Sequence, residues 1–379
     1  MPKEGIPITP KMITWARLRA GFSIDEARRD FKNIEAWESG INFPTYPQLE
    51  QLAEKFKLPI AVFFFPEPPS TPPIQESFRT LPKREFDAIP RRVRFLLRQA
   101  KAFQINLFEI NQGRNPSTRL ITKDLEFEVK TPIPEMARRV REYLGVSIDT
   151  QYAWSSDIVA LDSWRQIIND AGIFVFKDAF KVDDYAGLCL FDETFPIIYV
   201  NNSSSKTRQI FTLFHELAHL IFHTSGIDTL SDQYIPGLPD EARKIEVICN
   251  SFAAHFLVPE SEFNDAFSGA MATEETAENL ARKFHVSRET IFRRFLDRGL
   301  IDEIMYVGAA ARWNSQRKKE SGGGDYYNTQ ISYLGQRYIK LALSQYYQNR
   351  IDDIQLADYL NINARNLGKF EERFSGRSA

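Results

Sequence analysis

Apolar and polar positions change their spacing several times along this chain. Residues 10–65 repeat at helical intervals in short blocks. "SIDEARRDF" opens on Ser23, a residue suited to cap a helix N-terminus, and "TYPQLEQLAEKFKLP" sets Leu49, Leu52, Ala53 and Phe56 on one face. "PEPPSTPP" at 66–73 then reads as a stiff spacer. Residues 88–112 predict a long basic amphipathic helix, and 133–145 another. After the helical "ALDSWRQIINDAG", three runs of strand character follow: "IFVFKDAF", "AGLCLF" and "PIIYVNN". Asn201, Asn202 and three serines form a turn that caps the next helix. Helical spacing returns in "PDEARKIEVICNSFAAHFLVP", "EETAENLARKFH" and "SRETIFRRFLDRG". "RKKESGGGD" (317–325) reads as a flexible joint before a helical tail. The fold class predicted is α+β, mostly helical, with helical ends around a small central β-sheet.

Composition narrows the class. At 379 residues, 43% hydrophobic and 26% charged, the chain is a globular protein long enough for two or three domains. No run approaches the roughly 18 apolar residues of a membrane helix, and the first residues lack a signal-peptide core. Two cysteines, Cys189 and Cys249, give no disulfide framework, so a reducing cytoplasm is the expected location. Net charge is −2, yet Arg79 to Lys101 carries eight Lys/Arg against Glu85 and Asp87. Such an island suits phosphate or an acidic partner, although a solvated helix face is the commoner meaning of a charge run.

The candidate chemistry sits in "FHELAHLIFH", which holds three of the five histidines. His215 and His219 are four apart, so both rings leave one face of a helix within reach of one ion. Zn²⁺ accepts imidazole nitrogen and, in catalytic sites, keeps one position for water. Glu216 stands where it reaches that water as general base. His223 lies about 12 Å from His215 along a straight helix, too far to share the ion, and reads as a packing residue. The third ligand must come from elsewhere: Glu246, Cys249, Asn250 and His255 are candidates on the helix at 241–257. Chemistry alone favours Glu246, which completes a His₂Glu set. The strand "PIIYVNN" is expected to offer an edge for an extended peptide. Tyr185 and Tyr199 are near in sequence, but spacing assigns neither an oxyanion-stabilising role.

"RQIFTLFHELAHLIFH" with "EVICNSFAAHFLVP" resembles the ImmA/IrrE family of metallo-endopeptidases. That resemblance, over roughly residues 155–300, implies a zincin-like domain with zinc on His215, His219 and Glu246 and with Glu216 as catalytic base. The first segment is similar to an Xre/Cro-type helix-turn-helix domain. Its "DFKNIEAWESG" is shorter than that pattern, and a recognition helix cut at its start loses side chains that reach base edges. The organisation implied is 1–68 helix-turn-helix-like, 69–150 linker and basic helices, 151–306 peptidase, 307–325 joint and 326–379 helical C-terminal domain. The function implied is regulated cleavage of a repressor or antitoxin-like DNA-binding protein, in prokaryotes and often on phages or mobile elements, with DNA contact through residues 1–65 as a further expectation. Two other readings stand beside it: an Xre-family DNA-binding regulator whose peptidase domain is a sensor or interaction platform, and an antitoxin-like module.

Overall fold

The computed structural model describes residues 5–20, 22–56, 58, 60–68, 89–182, 184–229, 238, 240–315 and 324–378. Most of the proline-rich spacer, the start of the basic island and most of the glycine-rich joint lie outside the described residues. Two compact units divide the chain, with the boundary between Arg98 and Gln99. No helix among the described residues is long and apolar enough to cross a membrane.

The first unit holds α1 (Pro10–Arg19), α2 (Ile24–Asp30), α3 (Ile34–Glu38), α4 (Tyr46–Phe56), a 3₁₀ turn at Ile60–Phe64 and the first two turns of α5 (Arg91–Ile110). α2 starts where the sequence says. Ser23 accepts the Glu26 N–H through its hydroxyl, and the Glu26 carboxylate takes the Ser23 N–H in return. α3 is five residues long and closes at Ser39, just before Gly40 at φ 74°. Ile13, Ala16, Phe31, Ile34, Trp37, Leu49, Leu52 and Phe56 fill the core. Arg17 Nε donates to Glu38 Oε1 at 2.6 Å inside this core.

The second unit continues α5 and adds α6 (Ile121–Asp124), α7 (Ile133–Leu144), α8 (Ile148–Tyr152) and α9 (Asp157–Asp170). The sheet follows: β1 (Phe174–Asp178), β2 (Tyr185–Leu190), β3 (Ile197–Asn201), then α10 (Lys206–Ile221) and β4 (Gly226–Thr229). Strand order is β1-β3-β2-β4, with β3 parallel to β1 and β2 antiparallel to both β3 and β4. The expectation that "PIIYVNN" offers an edge is therefore overturned, because β3 is paired on both sides. β4 is the edge strand on that side of the sheet, and it carries no alternating pattern that a reader of the sequence would notice.

The strands read as continuous apolar runs because both faces are covered. Val175, Ile198 and Val200 point to α9 and α10; Phe176 and Tyr199 point the other way, where Phe103 stacks on Phe176 at 4.3 Å and Tyr338 meets it edge-on at 5.2 Å. Gly187 lets α10 sit close on the sheet, since a Cβ there would lie 2.4 Å from Thr212 Cγ2. Beyond β4 come α11 (Asp240–Leu257), α12 (Glu260–Phe267), α13 (Glu274–Phe284), α14 (Arg288–Asp297) and α15 (Glu303–Ser315). Trp164, Phe214 and Phe256 lock α9, α10 and α11 together, with ring centroids 4.1 to 5.4 Å apart. The tail forms α16 (Tyr326–Leu334), α17 (Gln336–Tyr347), α18 (Asp353–Tyr359) and α19 (Leu367–Ser378). Buried Arg165 ties it to β1, donating to the carbonyls of Val175, Ser332 and Tyr333.

Candidate metal centre

α10 is capped by Ser205, whose hydroxyl accepts the Arg208 N–H, and every residue from Thr212 to Ile221 is buried. The helix carries its polar stripe inward, toward α11. The two helices run antiparallel, so His215 meets Asn250 while His219 meets Glu246. The donor atoms of His215, His219 and Glu246 all lie within 4.8 Å of one another. The two Nε2 atoms are 3.2 Å apart, and the Glu246 oxygens stand 3.5 Å from His215 Nε2 and 3.3 Å from His219 Nε2. His215, His219 and Glu246 are 1%, 3% and 7% exposed, so water does not screen this crowd.

Hydrogen bonds on the far side of each ring fix which nitrogen faces the centre. His215 Nδ1 lies 3.0 Å from Asn250 Oδ1, and His219 Nδ1 lies 3.2 Å from Thr224 Oγ1, whose own proton goes to the His219 carbonyl. Each Nδ1–H therefore donates outward and each Nε2 lone pair points in. Two lone pairs and a carboxylate converging at such distances repel unless a cation lies among them, so the donor set fits a divalent metal of the zinc type. The charge balance agrees. Burial alone would push the His215 ring down, but Asp228, Glu246 and Glu216 outweigh it and carry it up to about 9. Burial works to raise Glu246, yet the two rings hold it well below the usual carboxylate range. A proton and a metal ion compete for the same lone pairs, so both directions record one demand for positive charge.

Glu216 is fully buried on the same helix. The Asp228 backbone N–H donates to its Oε1 at 3.1 Å, whereas Oε2 has no hydrogen-bond partner among the described residues. Burial raises its pKa, against the pull of His215 and His219. Asp228 is itself held by Arg208, at 2.8 and 2.9 Å, and by Thr212 Oγ1 at 2.8 Å. Gly226 makes room for the metal-facing ring, since a Cβ there would lie 2.7 Å from His219 Cδ2.

The remaining candidates fall outside the triad. His223 sits past the helix end at φ 56°, stacks on Phe191 and donates to the Thr122 carbonyl. His255 bonds back to the Ser251 carbonyl. Cys249 is buried among apolar neighbours, and Asn250 orients His215 instead of joining the donor set. Among the described residues Tyr185 and Tyr199 are placed in the sheet, and neither is among the hydrogen-bond partners of the triad. Sequence reasoning missed Thr224, Gly226 and Asp228 altogether.

Comparison with known proteins bears on this arrangement. Residues 168–296, which contain the whole triad and Glu216, match the Peptidase_M78 family, the IrrE N-terminal-like domain. Over these residues the likeness is to the ImmA/IrrE family. A curated relative, the radiation response metalloprotease IrrE of Deinococcus deserti, is 30% identical over 135 residues, covering 35% of this chain and 47% of the relative. The chain thus spans about half the length of that IrrE protein. A solved structure described as a Mycobacterium tuberculosis transcriptional regulator is 22% identical, covers 43% of this chain and 46% of its own, and superposes with a TM-score of only 0.29, too low to bear on architecture. The matched family is one of metallopeptidases, and the His-His-Glu cluster lies within the matched residues.

Proposed function

We propose that this chain is an intracellular zinc-dependent endopeptidase of restricted specificity, acting on a repressor or antitoxin-like regulatory protein. In this reading His215, His219 and Glu246 hold zinc, Glu216 is the catalytic base, and residues 151–306 form the peptidase domain between a helix-turn-helix-like start (1–68) and a helical end (326–379). One observation carries it: the buried Glu216 Oε2, without a hydrogen-bond partner among the described residues, sits on the helix whose two imidazoles turn their lone pairs toward the Glu246 carboxylate. A divalent ion held there supplies Lewis acidity toward a carbonyl and makes water more acidic. Glu216, fixed through Oε1 by the Asp228 amide, keeps Oε2 for the proton of the attacking water and later passes it to the leaving amine. Burial, which raises its pKa, strengthens it as the base that takes that proton.

The test is direct. Purified protein is incubated with each DNA-binding regulator encoded beside it, as wild type and as Glu216→Gln, while metal content is measured. The expected result is about one zinc per chain in both, one neighbour cut by the wild type, and a loss of about 10²- to 10⁴-fold in the variant. Intact neighbours throughout would favour the second reading, an Xre-family DNA-binding regulator using the peptidase fold as a sensor. What supports that second reading is the density of cations on α5, where Arg91, Arg92, Arg94 and Arg98 belong to the first unit.

A further inference from the structure

A cavity of about 770 Å³ lies along α10 and α11 and reaches the metal centre's surroundings at Asn250, which bonds His215 Nδ1. One wall is α10, through Arg208 and Phe211, on the same helical stripe as His215. A second is α11, through Asn250 and Ala254, four and eight residues beyond Glu246 on its stripe. α14 and the start of α12 close the far end with Arg294, Arg298 and Glu260. Asn250, which orients His215, thus stands between the triad and the cavity.

The far end is unevenly charged. Arg294 donates to Glu260 at 2.9 Å and to the Ala254 carbonyl at 3.3 Å, and Arg298 closes on the other oxygen of the same carboxylate. Two guanidiniums share one acid, which leaves one full positive charge and spare N–H donors. The other arginines of the lining are paired, while Glu289 adds one acidic charge to it. Arg293 pairs with Asp297 at 2.9 Å, Glu289 accepts from Tyr306, and Arg208 is bound to Asp228. Burial is the largest influence on Arg294 and holds it below the ordinary guanidinium value; Arg298 pushes the same way, and Glu260 and Asp297 oppose it.

Resting on the peptidase reading, we infer that this cavity is a specificity subsite that takes an acidic side chain of the substrate onto Arg294 and Arg298. Its place sets the register. Ala254, which touches Arg294, lies eight residues from Glu246, about 12 Å along α11. An extended peptide advances about 3.3 Å per residue, so the acidic residue falls three or four positions to one fixed side of the cut bond.

The experiment is cleavage of a random-sequence peptide library read by mass spectrometry, using wild type, Glu216→Gln, Arg298→Ala and Arg298→Glu. Arg298 is only partly buried, and zinc content with circular dichroism checks each fold. The expected pattern is Glu216-dependent cutting with Asp or Glu enriched at that position. Arg298→Ala lowers kcat/KM about tenfold for acidic peptides and less than about twofold for neutral ones. Arg298→Glu turns the preference toward Lys or Arg. Glu216-dependent cutting without acidic enrichment, or with enrichment that Arg298→Glu leaves intact, overturns the subsite and leaves the peptidase reading standing. Absence of Glu216-dependent cutting in every arm overturns both.

Discussion

The first helical unit and the IrrE-like domain bury polar groups to opposite ends. In the first unit the buried Arg17 is answered at once, by Glu38 and by the Phe22 carbonyl. In the IrrE-like domain His215, Glu216, His219 and Glu246 are as deeply buried, yet their inward-facing atoms confront one another. Burying a polar group without a partner costs about 1–3 kcal/mol, and a fold keeps that cost only where something else binds. A matched ion pair marks scaffold here, and lone pairs and carboxylates converging on one point mark a site.

That contrast is broken most sharply by removing one polar group from each unit. His219→Ala is expected to abolish zinc retention and all cleavage while the chain stays folded, as read by metal analysis and circular dichroism. A variant that keeps full zinc would end the three-donor assignment. Arg17→Ala should do the reverse. It strands the Glu38 carboxylate, whose side chain is 13% exposed, and costs about 3–5 kcal/mol in denaturant unfolding, with zinc content unchanged. Replacing both partners, Arg17→Met with Glu38→Leu, should recover most of that loss. If the double variant is as unstable as the single one, the pair is not the self-contained scaffold described.

The same contrast explains what the sequence disclosed. His215, Glu216 and His219 were legible because helical spacing alone puts them together, and Glu246 because a carboxylate completes a His₂Glu set and the family resemblance falls on that position. The helices and three strands followed from period and capping residues such as Ser23. The fourth strand did not, because Gly226–Thr229 is four residues long and acts partly through the Asp228 amide, a group every residue but proline possesses. Strand order was misread for a related reason. "PIIYVNN" has a strand's composition, but whether it lies at an edge depends on pairing with residues far along the chain.

An intermediate effect is expected from the groups that aim the rings. Asn250→Ala removes the acceptor of His215 Nδ1–H, and Thr224→Val does the same for His219. Each should weaken zinc binding about ten- to a hundredfold in chelator competition without unfolding the protein. Affinity unchanged in both variants would mean that packing alone orients the rings.

The smallest effect belongs to the surface of the first unit and decides between its two uses. Exposed Arg28 is paired with Asp25 and with Glu35 of α3, so the cation nearest this short helix is already engaged. Glu35→Gln removes one of its two acidic partners, and because the pair is solvent-exposed the unfolding midpoint should not move measurably. A face that meets DNA backbone would gain one phosphate contact, steepening the slope of log affinity against log salt by about one. The expected result is an unchanged slope, since a five-residue α3 presents too little surface to hold this face against a groove. A steeper slope would show that Arg28 does stand over phosphate, and would move the weight of the whole chain toward the DNA-binding regulator.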